Sequence, residues 1–331
     1  MKKRETFNEP TVLIMMATYN SEKYLKKQLD SIVNQTYKKW NLVVQDDGSS
    51  DNTVKIIKDY MKIDSRIKLE INTSQYHGPY YNFHSLIQKC KGISAYNFYM
   101  FSDHDDIWKE NKIKAMLGCF YDSKLSKKPL LIYGDMTVID GNDQIKFNSL
   151  NEKIGIKLNN NISTFFAANV FGCNTMFNQE LFEKIPPINM SDSEVKTLAH
   201  DNFIAKLAAT YGNISYCSRP LMYYRRYGSN VTSKNTYTYS FRRIISRLLG
   251  LKILAADHAL TYKQTLYFIK IVLQYDKELN PKYLKKISNV IQNGGMKSVI
   301  FIITNRISWG KKIKTLSRTF ILFSRLYKRY L

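Results

Sequence analysis

The stretch Phe98-Tyr99-Met100-Phe101-Ser102-Asp103-His104-Asp105-Asp106-Ile107-Trp108 joins a run typical of a buried strand to three carboxylates within four residues. Carboxylates this close repel one another and raise each other's pKa unless a cation or a basic partner neutralises them. Asp103 and Asp105 are two residues apart, so on an extended segment both side chains leave the same face. Because hard divalent cations prefer oxygen ligands and also bind phosphates, the stretch predicts a Mg2+ or Mn2+ site that holds a diphosphate. The alternative is an acidic turn that caps the helix predicted after Trp108.

Strand-like runs alternate with segments of helical periodicity up to residue 135. The predicted strands are Thr11–Thr18, Asn41–Asp46, Ile67–Asn72, Tyr96–Ser102 and Leu130–Asp135. The predicted helices are Glu22–Asn34, Thr53–Met61, Tyr81–Lys91 and Lys112–Tyr121. This alternation predicts an α/β fold with a mostly parallel sheet flanked by helices, and ligands bind beyond the carboxyl ends of the strands in such folds. Three loops should therefore meet in one cleft: Thr18-Tyr19-Asn20, Asp46 to Asp51, and the acidic stretch.

The pattern after Asp135 is less regular. Phe171 to Phe177 is predicted to be a strand, and Asn178 to cap a short helix that ends at Pro186-Pro187. His200-Asp201 opens a helix predicted over Asn202 to Tyr211. From about Ser240 onward the chain is predicted to form helices, which Asn280-Pro281 and Gly294-Gly295 separate.

Basic residues are concentrated in the last third of the chain. The net charge is +23, and residues 221 to 331 hold 22 Lys or Arg against three acidic residues. Such a surface is typical of docking on a polyanion, either membrane lipid or nucleic acid. The four cysteines are widely spaced and predict neither a zinc site nor a disulfide framework. Neither a secretory leader nor an apolar run of about 18 residues is found, so no transmembrane helix is expected.

The segment from Lys311 to Leu331 is predicted to be one amphipathic helix. Its apolar residues recur at steps of three and four, while most of its basic residues fall on the opposite side. The apolar stripe is Ile313, Leu316, Phe320, Phe323, Tyr327 and Tyr330. This pattern is typical of a helix that lies in the interface of an anionic membrane. The alternative is a helix packed on the core with a solvated basic side.

Four ordered motifs together resemble glycosyltransferase family 2, which has the GT-A fold. The motifs are Ala17 to Asn20, Gln35 to Tyr37, Asp46 to Thr53, and Ser102 to Trp108. The resemblance covers roughly residues 11 to 230, and the Asp-x-Asp-Asp-Ile-Trp form is most similar to that of rhamnosyltransferase-type members. It implies a GT-A domain over residues 1–235, with a nucleotide-sugar half to about 135 and an acceptor half from about 136. A basic helical region would follow over residues 236–331.

The resemblance also implies the donor site. Thr18, Tyr19, Asn20 and Ser49 would border the nucleotide, with Asp47 bonded to the base. A carboxylate accepts a hydrogen bond from an imide N–H, which favours a UDP- or dTDP-sugar. The alternative for Asp46 to Asp51 is a turn followed by a helix cap.

By the same resemblance, Asp103 or Asp105 would hold the ribose, and Asp105 and Asp106 would coordinate the metal. Asp201, paired with His200, would be the base that takes the proton of the acceptor hydroxyl, and His200 would position either the acceptor or Asp201. The alternative for Asp201 is an ordinary helix-capping aspartate. The sequence departs from the subgroup at Tyr227, which replaces a histidine in an Arg-x-His-Gly-x-Asn segment. Arg225 and Arg226 are then candidates for binding phosphate.

Trp108, Gly172, Cys173 and Tyr227 are expected on the acceptor side. The implied function is an inverting, metal-dependent transfer of a sugar, with rhamnose as the sugar that the subgroup suggests, to a saccharide or lipid-linked saccharide in bacterial surface polysaccharide synthesis. The expected location is cytoplasmic, on the inner face of the bacterial membrane, which the C-terminal helices would bind. The alternatives are an inactive glycosyltransferase-like scaffold and a basic nucleic-acid-binding module. No nucleic acid is expected as a partner, because an acidic cleft repels phosphate backbones.

Overall fold

The computed structural model describes residues 9–93, 96–123, 128–228 and 247–331. The strands are β1 (Val12–Thr18), β2 (Trp40–Asp46), β3 (Ile67–Ile71), β4 (Phe98–Ser102), β5 (Ile107–Trp108), β6 (Leu130–Ile139), β7 (Ile145–Phe147), β8 (Thr175–Asn178) and β9 (Asn213–Arg225). The helices are α1 (Glu22–Val33), α2 (Thr53–Ile63), α3 (Pro79–Cys90), α4 (Lys112–Asp122), α5 (Leu150–Ile154), α6 (Gln179–Glu183), α7 (His200–Tyr211), α8 (Arg247–Tyr275), α9 (Lys282–Asn293), α10 (Met296–Thr304) and α11 (Lys312–Ser324).

Within the described ranges the strands form one mixed sheet of order β3-β2-β1-β4-β8-β6-β9-β5, with β7 beside β6. The first four strands of this order are parallel, whereas β8 runs antiparallel to both β4 and β6. Thr18 lies opposite Asp46, and Met16 lies opposite Ser102. The loops that follow β1, β2 and β4 therefore leave the same edge of the sheet, as the sequence predicted.

The sheet is covered on both faces. Alternate residues of β1 illustrate this: Leu13 and Met15 pack into one hydrophobic cluster, and Val12, Ile14 and Met16 pack into the other. Burial on both sides explains why β1 is a continuous apolar run rather than an alternating one. Hydrophobic packing on both faces of the sheet fixes the position of the edge from which the three loops leave.

Two parts of the sheet differ from the prediction. The predicted strand over Phe171 to Phe177 is wrong at its start, because Gly172–Asn174 form a 3-10 turn before β8 begins at Thr175. Strands β5, β7 and β9 were not predicted. In β9 the pair Arg219-Pro220 interrupts the apolar pattern, yet β6 supplies a parallel partner along most of the strand.

The C-terminal helices share a core with the α/β part. Tyr262, Trp309 and Tyr327 are buried in the same cluster as Leu13 and Phe203. The predicted boundary at residue 235, like Ser229 and Asn230 of the motif that contains Tyr227, lies outside the described residues. No helix in the described part of the chain has the length and apolarity that a bilayer crossing requires.

The prediction of one helix from Lys311 to Leu331 is wrong beyond Ser324. Arg325 adopts a left-handed backbone with φ 61°, and a 3-10 turn follows over Leu326–Arg329. Tyr327 thereby leaves the predicted stripe and becomes fully buried, where its hydroxyl donates to the carbonyl of Ile291. The exposed stripe on α11 is reduced to Ile313, Leu316, Phe320 and Phe323.

Candidate active site

A cleft of about 1290 Å³ opens at the carboxyl edge of β1, β2 and β4 and continues to α8 and α11. Its wall brings together residues from the three predicted loops and from the start of α7. The sequence-predicted residues on it are Thr18, Tyr19, Asn20, Asp47, Asp103, Asp105, His200, Asp201 and Tyr227. Residues from distant parts of the sequence therefore face the same cleft, because the carboxyl ends of β1, β2 and β4 lie at one edge of the sheet.

The acidic loop after β4 is held by the end of β9. Strand β5 pairs antiparallel with β9, and the backbone N–H of Arg225 donates to Asp106 Oδ1 at 2.9 Å. The Nε of Arg225 donates to the carbonyl of Asp105 at 2.7 Å, and the Tyr227 hydroxyl donates to Asp105 Oδ2 at 2.8 Å. The loop conformation thus depends on residues that lie far along the chain.

Two carboxylates of this loop could hold a divalent cation together, and among the described residues this group contains the predicted ligand Asp106 but not Asp105. Asp103, Asp106 and Cys173 have potential ligand atoms within 4.8 Å of one another, and Asp106 Oδ2 is buried without a hydrogen-bond partner in the described chain. Burial, followed by the charges of Asp105 and Asp201, raises the pKa of Asp103 to about 7. Burial, followed by the charges of Asp105 and Asp103, also raises the pKa of Asp106. A cation among these oxygens would relieve both the repulsion and the desolvation.

Lys112, which the sequence analysis did not single out, lies beneath the acidic loop. It is fully buried, its Nζ donates to the carbonyl of Cys173 at 2.6 Å, and it lies 4.0 Å from the centre of the Trp108 ring. Burial lowers the pKa of this lysine to about 7, against the raising effect of Cys173, Asp106 and Asp103. Within the described ranges, neither Asp103 nor Asp106 forms an ion pair with a lysine or arginine. The predicted alternative of a merely capping turn does not explain three carboxylates held this way.

The carboxylate of Asp47 is fixed by the connection between β3 and α3. Oδ1 accepts from Asn72 Nδ2 at 2.6 Å and lies 3.0 Å from His77 Nδ1, and Oδ2 accepts from the N–H of Gly78 at 2.7 Å. Gly78 has φ 112°, a conformation that favours glycine. Since each carboxylate oxygen has two lone pairs, Oδ2 retains capacity for one further donor from the cleft. Asn72, His77 and Gly78 were not identified from the sequence.

The neighbouring residues Asp46 and Ser49 support this loop rather than line the cleft. Asp46 is fully buried and accepts from Thr18 Oγ1 at 2.9 Å and from the backbone and hydroxyl of Ser49. The backbone N–H of Asn20, which has φ 45°, donates to Ser49 Oγ at 2.9 Å. Ser49 is therefore placed to orient Asn20, and its predicted direct contact with the nucleotide lacks support from the geometry.

Asp201 lies in the first turn of α7, which begins at His200, so it does not occupy the cap position, which Ala199 holds. Its Oδ1 accepts from the N–H of Asn202 at 2.6 Å and its Oδ2 from that of Gly172 at 3.3 Å. Burial raises the pKa of Asp201, while these N–H groups and the charge of Lys206 lower it in part. The carboxylate is thus a somewhat stronger base than an ordinary aspartate and faces the cleft.

His200 is not hydrogen-bonded to Asp201. Its ring stacks on Phe83 with centroids 3.7 Å apart, and both ring nitrogens are buried without a partner in the described chain. Burial lowers the pKa of His200 to about 3, so it is neutral at physiological pH. A Cβ at Gly172 would lie 2.5 Å from its Nε2, which shows how closely the two segments pack. The His200 ring therefore packs on Phe83 and beside Gly172, and it does not form the imidazole–carboxylate pair with Asp201 that the sequence suggested.

The remaining predicted residues lie off the cleft wall. Trp108, Gly172 and Cys173 are buried beneath or beside the acidic loop, so the structure does not place them on an acceptor surface. The Arg225 guanidinium is fully buried against Asp143, the carbonyl of Asp140 and the ring of Tyr24. Its prediction as a phosphate ligand conflicts with this placement. Arg226 lies outside the cleft wall, with its backbone N–H donating to the carbonyl of Ile139 at 2.8 Å.

Comparison with known proteins gives one matching family and several similar glycosyltransferases. Residues 13–186 match the family described as Glycosyl transferase family 2. The dTDP-rhamnosyl transferase RfbG of Shigella flexneri is 29% identical over 244 residues, which cover 70% of this chain and 78% of RfbG. The UDP-Glc:alpha-D-GlcNAc-diphosphoundecaprenol beta-1,3-glucosyltransferase WfgD of Escherichia coli is 32% identical over 154 residues, covering 44% of this chain and 56% of WfgD.

A solved structure shows the same fold. TarS 1-349 of S. aureus, crystallised in complex with UDP-GlcNAc, aligns with a TM-score of 0.56 and 15% identity, covering 96% of this chain and 80% of the TarS chain. At this identity the likeness concerns the fold alone. The predicted GT-A fold is confirmed by it.

Proposed function

This chain belongs to Glycosyl transferase family 2 and is a glycosyltransferase, and from that premise we propose that it transfers a sugar from UDP or dTDP to a saccharide acceptor with inversion at the anomeric carbon. The observation that carries the proposal is that Asp47, the acidic loop and Asp201 face one cleft. These are the parts that base recognition, diphosphate binding and proton removal require. The likeness to RfbG favours dTDP-rhamnose as the donor, and that to WfgD favours a lipid-linked acceptor in surface polysaccharide synthesis.

Donor binding is assigned to the loops after β1 and β2. The open lone pair on Asp47 Oδ2 suits the imide N–H of uracil or thymine, whereas cytosine has no such donor. Thr18, Tyr19 and Asn20 line the adjoining wall and would border the base and ribose. Asp103 or Asp105, the loop carboxylates on the cleft wall, would bind the ribose hydroxyls.

Asp103, Asp105 and Asp106 would hold Mg2+ or Mn2+ together with the donor diphosphate. A bound divalent ion would supply Lewis-acid stabilisation of the negative charge on the departing nucleoside diphosphate. Tyr227 and Arg225 keep Asp105 in position through the hydroxyl and guanidinium contacts described above. Tyr227 takes the place of the histidine of the subgroup by binding a ligand carboxylate.

The acceptor hydroxyl would lose its proton to Asp201. The oxygen of the acceptor hydroxyl forms the new bond to the anomeric carbon. The bond from that carbon to the phosphate oxygen breaks at the same time, and the nucleoside diphosphate leaves with its electron pair. Attack from the side opposite the leaving group gives inversion. The inactive-scaffold alternative is disfavoured because Asp201, two carboxylates of the acidic loop (Asp103 and Asp105) and Asp47 all line the same cleft.

A thermal-shift screen tests the assignment of base and metal together. We expect UDP and dTDP to raise the melting temperature by a few degrees in the presence of Mn2+, because a ligand at many times its Kd stabilises the native state by mass action. The shift should be smaller without Mn2+, and smaller for CDP than for UDP. Equal shifts for all nucleotides, with or without the ion, would contradict this assignment.

We also propose that the C-terminal helices bind an anionic membrane. Helices α10 and α11 pack against each other and carry apolar residues that the protein leaves exposed, among them Leu316 (71% exposed) and Ile303 (67%). The others are Met296, Ile300, Ile313, Phe320 and Phe323. Exposed Lys297, Lys311 and Lys312 lie beside them. The exposed apolar residues could insert at the headgroup level of a membrane, where the lysines would contact anionic lipid headgroups.

Vesicle sedimentation tests the membrane proposal. Leu316→Gln combined with Phe320→Gln should weaken binding to vesicles containing phosphatidylglycerol by at least about tenfold. Each substitution removes the favourable free energy of moving an apolar side chain out of water. Ile63→Gln is the matched control, since Ile63 is 75% exposed on α2. Unchanged binding of the double variant, or equal binding to phosphatidylcholine alone, would refute this surface.

A further inference from the structure

Lys112, the first residue of α4, is a fully buried lysine that the proposed reaction does not use. Its ammonium donates to the carbonyl of Cys173 at 2.6 Å and to the sulfur of Met222 at 3.3 Å, and it lies 4.0 Å from the centre of the Trp108 ring. Of these three partners only the carbonyl is a strong acceptor. Burial of an ammonium is costly, and an apolar side chain would fill the same space without that cost, so packing alone does not account for a lysine here.

The carbonyl that Lys112 binds belongs to the 3-10 turn Gly172–Asn174, which also holds Asp201. The N–H of Gly172 donates to Asp201 Oδ2 at 3.3 Å, and the carbonyl of Gly172 accepts from Thr175 Oγ1 at 2.8 Å. The bond from Lys112 and the bond to Asp201 are therefore made by adjacent residues of one short turn. Because 3.3 Å is already long for an N–H···O hydrogen bond, a small displacement of the turn would break the bond to Asp201.

The turn packs against the start of α7 with no spare room. A Cβ at Gly172 would lie 2.5 Å from His200 Nε2 and 3.2 Å from Asp201 Cβ. Glycine, which has no Cβ, allows the two segments to approach this closely. A shift of the turn toward α7 would therefore move Asp201, and a shift away from α7 would break the hydrogen bond from Gly172.

The other two partners of the Lys112 ammonium lie on the strands that support the acidic loop. Trp108 of β5 and Met222 of β9 are directly opposite each other in the antiparallel pair. Strand β5 begins directly after Asp106, the last carboxylate of that loop. The ammonium thus connects the strand pair beside the carboxylates with the turn that holds Asp201.

We propose that Lys112 is a positioning residue for the transfer reaction, because it fixes Asp201 relative to the acidic loop by joining the Gly172–Asn174 turn to the β5–β9 pair. This inference rests on the proposed function, in which Asp201 is the base and the acidic loop holds the donor diphosphate. Inversion places the anomeric carbon between the leaving diphosphate and the attacking oxygen, so the separation of the loop and the base must be maintained. A misplacement of about 1 Å can cost about a hundredfold in rate.

Lys112→Met tests the proposal, because methionine fills similar space beside Trp108 but cannot donate a hydrogen bond. The rate measured is release of dTDP from dTDP-rhamnose, for which water serves as the acceptor. We expect kcat to fall by at least about tenfold and the Kd of dTDP with Mn2+ to stay within about twofold, since the placement of Asp201 is disturbed and the nucleotide site is not. Lys114→Met, which replaces an exposed lysine of the same helix, is the matched control and should keep kcat.

The pH profile and the melting temperature distinguish positioning from a purely structural role. Burial raises the pKa of Asp201, and the N–H groups of Asn202 and Gly172 lower it in part. Loosening of the turn in Lys112→Met weakens the bond from Gly172, so the rise of the rate with pH should move to higher pH. The melting temperature should change little, because removal of a buried charge offsets the lost hydrogen bond. A profile that stays at its wild-type position would overturn the proposal.

A double-mutant cycle with Asp201→Asn separates this inference from the proposed function. Because Lys112 acts through Asp201, Lys112→Met should lower the residual kcat of Asp201→Asn by less than about twofold. A loss as large in that background as in the wild-type chain would overturn the inference and leave the base assignment intact. Full activity of Asp201→Asn alone would instead reject the proposed function, and this inference with it.

Thr175→Val carries the test should Lys112→Met fail to fold. Valine keeps the shape of threonine but removes the hydrogen bond to the carbonyl of Gly172, so it loosens the same turn from its other end. We expect the same signature, a lower kcat with an unchanged Kd of dTDP. A wild-type kcat in Thr175→Val would show that the turn does not control Asp201 and would overturn the proposal.

Discussion

Replacing Asp201 with Asn is expected to lower kcat by about 10²- to 10⁴-fold and to leave the Kd of UDP unchanged. General-base catalysis by a positioned side chain contributes about this much. An asparagine at this position keeps the shape and, through its one amide oxygen, can accept from one of the N–H groups of Gly172 and Asn202, but it cannot take up a proton. The measurement is initial-rate kinetics with the donor and acceptor that the nucleotide screen identifies, together with calorimetric titration of UDP.

The pH profile distinguishes a base from a residue that only supports the fold. Because burial raises the pKa of Asp201, the carboxylate becomes protonated at a higher pH than an ordinary aspartate does. The wild-type rate should therefore rise with pH through this raised pKa, and the residual rate of Asp201→Asn should lack that rise. Asp59→Asn, an exposed carboxylate on α2, is the control for the substitution itself. A full rate in Asp201→Asn would refute the assigned role.

The sequence predicted best those site residues that are neighbours in the chain. The acidic loop and the turn after β2 follow buried strands directly, so their place at the carboxyl edge follows from strand periodicity and the alternation of elements. The parallel strands β1 to β4 and helices α1 to α4 were predicted to within two or three residues at each end. The family motifs lie in this same part of the chain.

The contacts that fix the site were not predictable, because they come from distant segments with no motif of their own. Asn72 and Gly78 hold Asp47 from a loop of ordinary turn composition. From the sequence, Lys112 is simply the first residue of an amphipathic helix. Its ammonium lies under the acidic loop only because of how that helix packs against the sheet. Arg225 is the reverse case. Its place in a motif suggested phosphate binding, but its guanidinium is buried against Asp143 and donates to the carbonyl of Asp105 in the acidic loop.

The C-terminal stripe shows how tertiary packing overrides periodicity. The spacing of Phe323, Tyr327 and Tyr330 continues a helical pattern, but Tyr327 packs its ring against Tyr262 with centroids 5.0 Å apart and lies in the core. Reaching that position requires the left-handed residue Arg325 to end α11. Periodicity identified the apolar residues of α11 correctly, but it carries no information on where a chain turns back to fill a core.

Replacing Asp105 with Asn is expected to lower kcat/KM by at least about a hundredfold and to raise the Mn2+ concentration needed for half-maximal rate. The substitution removes one negative charge from the set of ligands but preserves an acceptor for the Tyr227 hydroxyl. A divalent ion supplies several kcal/mol of charge stabilisation in the transition state, so a poorly held ion forfeits a large part of the rate. The measurement is a Mn2+ titration of initial rates, with the Mn2+-dependent thermal shift by UDP as the readout of binding.

Tyr227→Phe is a milder substitution that tests whether the loss of activity comes from weaker Mn2+ binding. It leaves the charge of Asp105 intact and removes the 2.8 Å hydrogen bond that the Tyr227 hydroxyl donates to Asp105 Oδ2. Loss of a hydrogen bond to a metal-binding carboxylate costs about 10- to 100-fold in metal affinity or activity. The expected order of Mn2+ affinity is therefore wild type, Tyr227→Phe and then Asp105→Asn, with exposed Asp122→Asn equal to wild type. If Tyr227→Phe lost activity without any change in Mn2+ dependence, the tyrosine would act on substrate directly and would not serve to hold the metal-binding carboxylate.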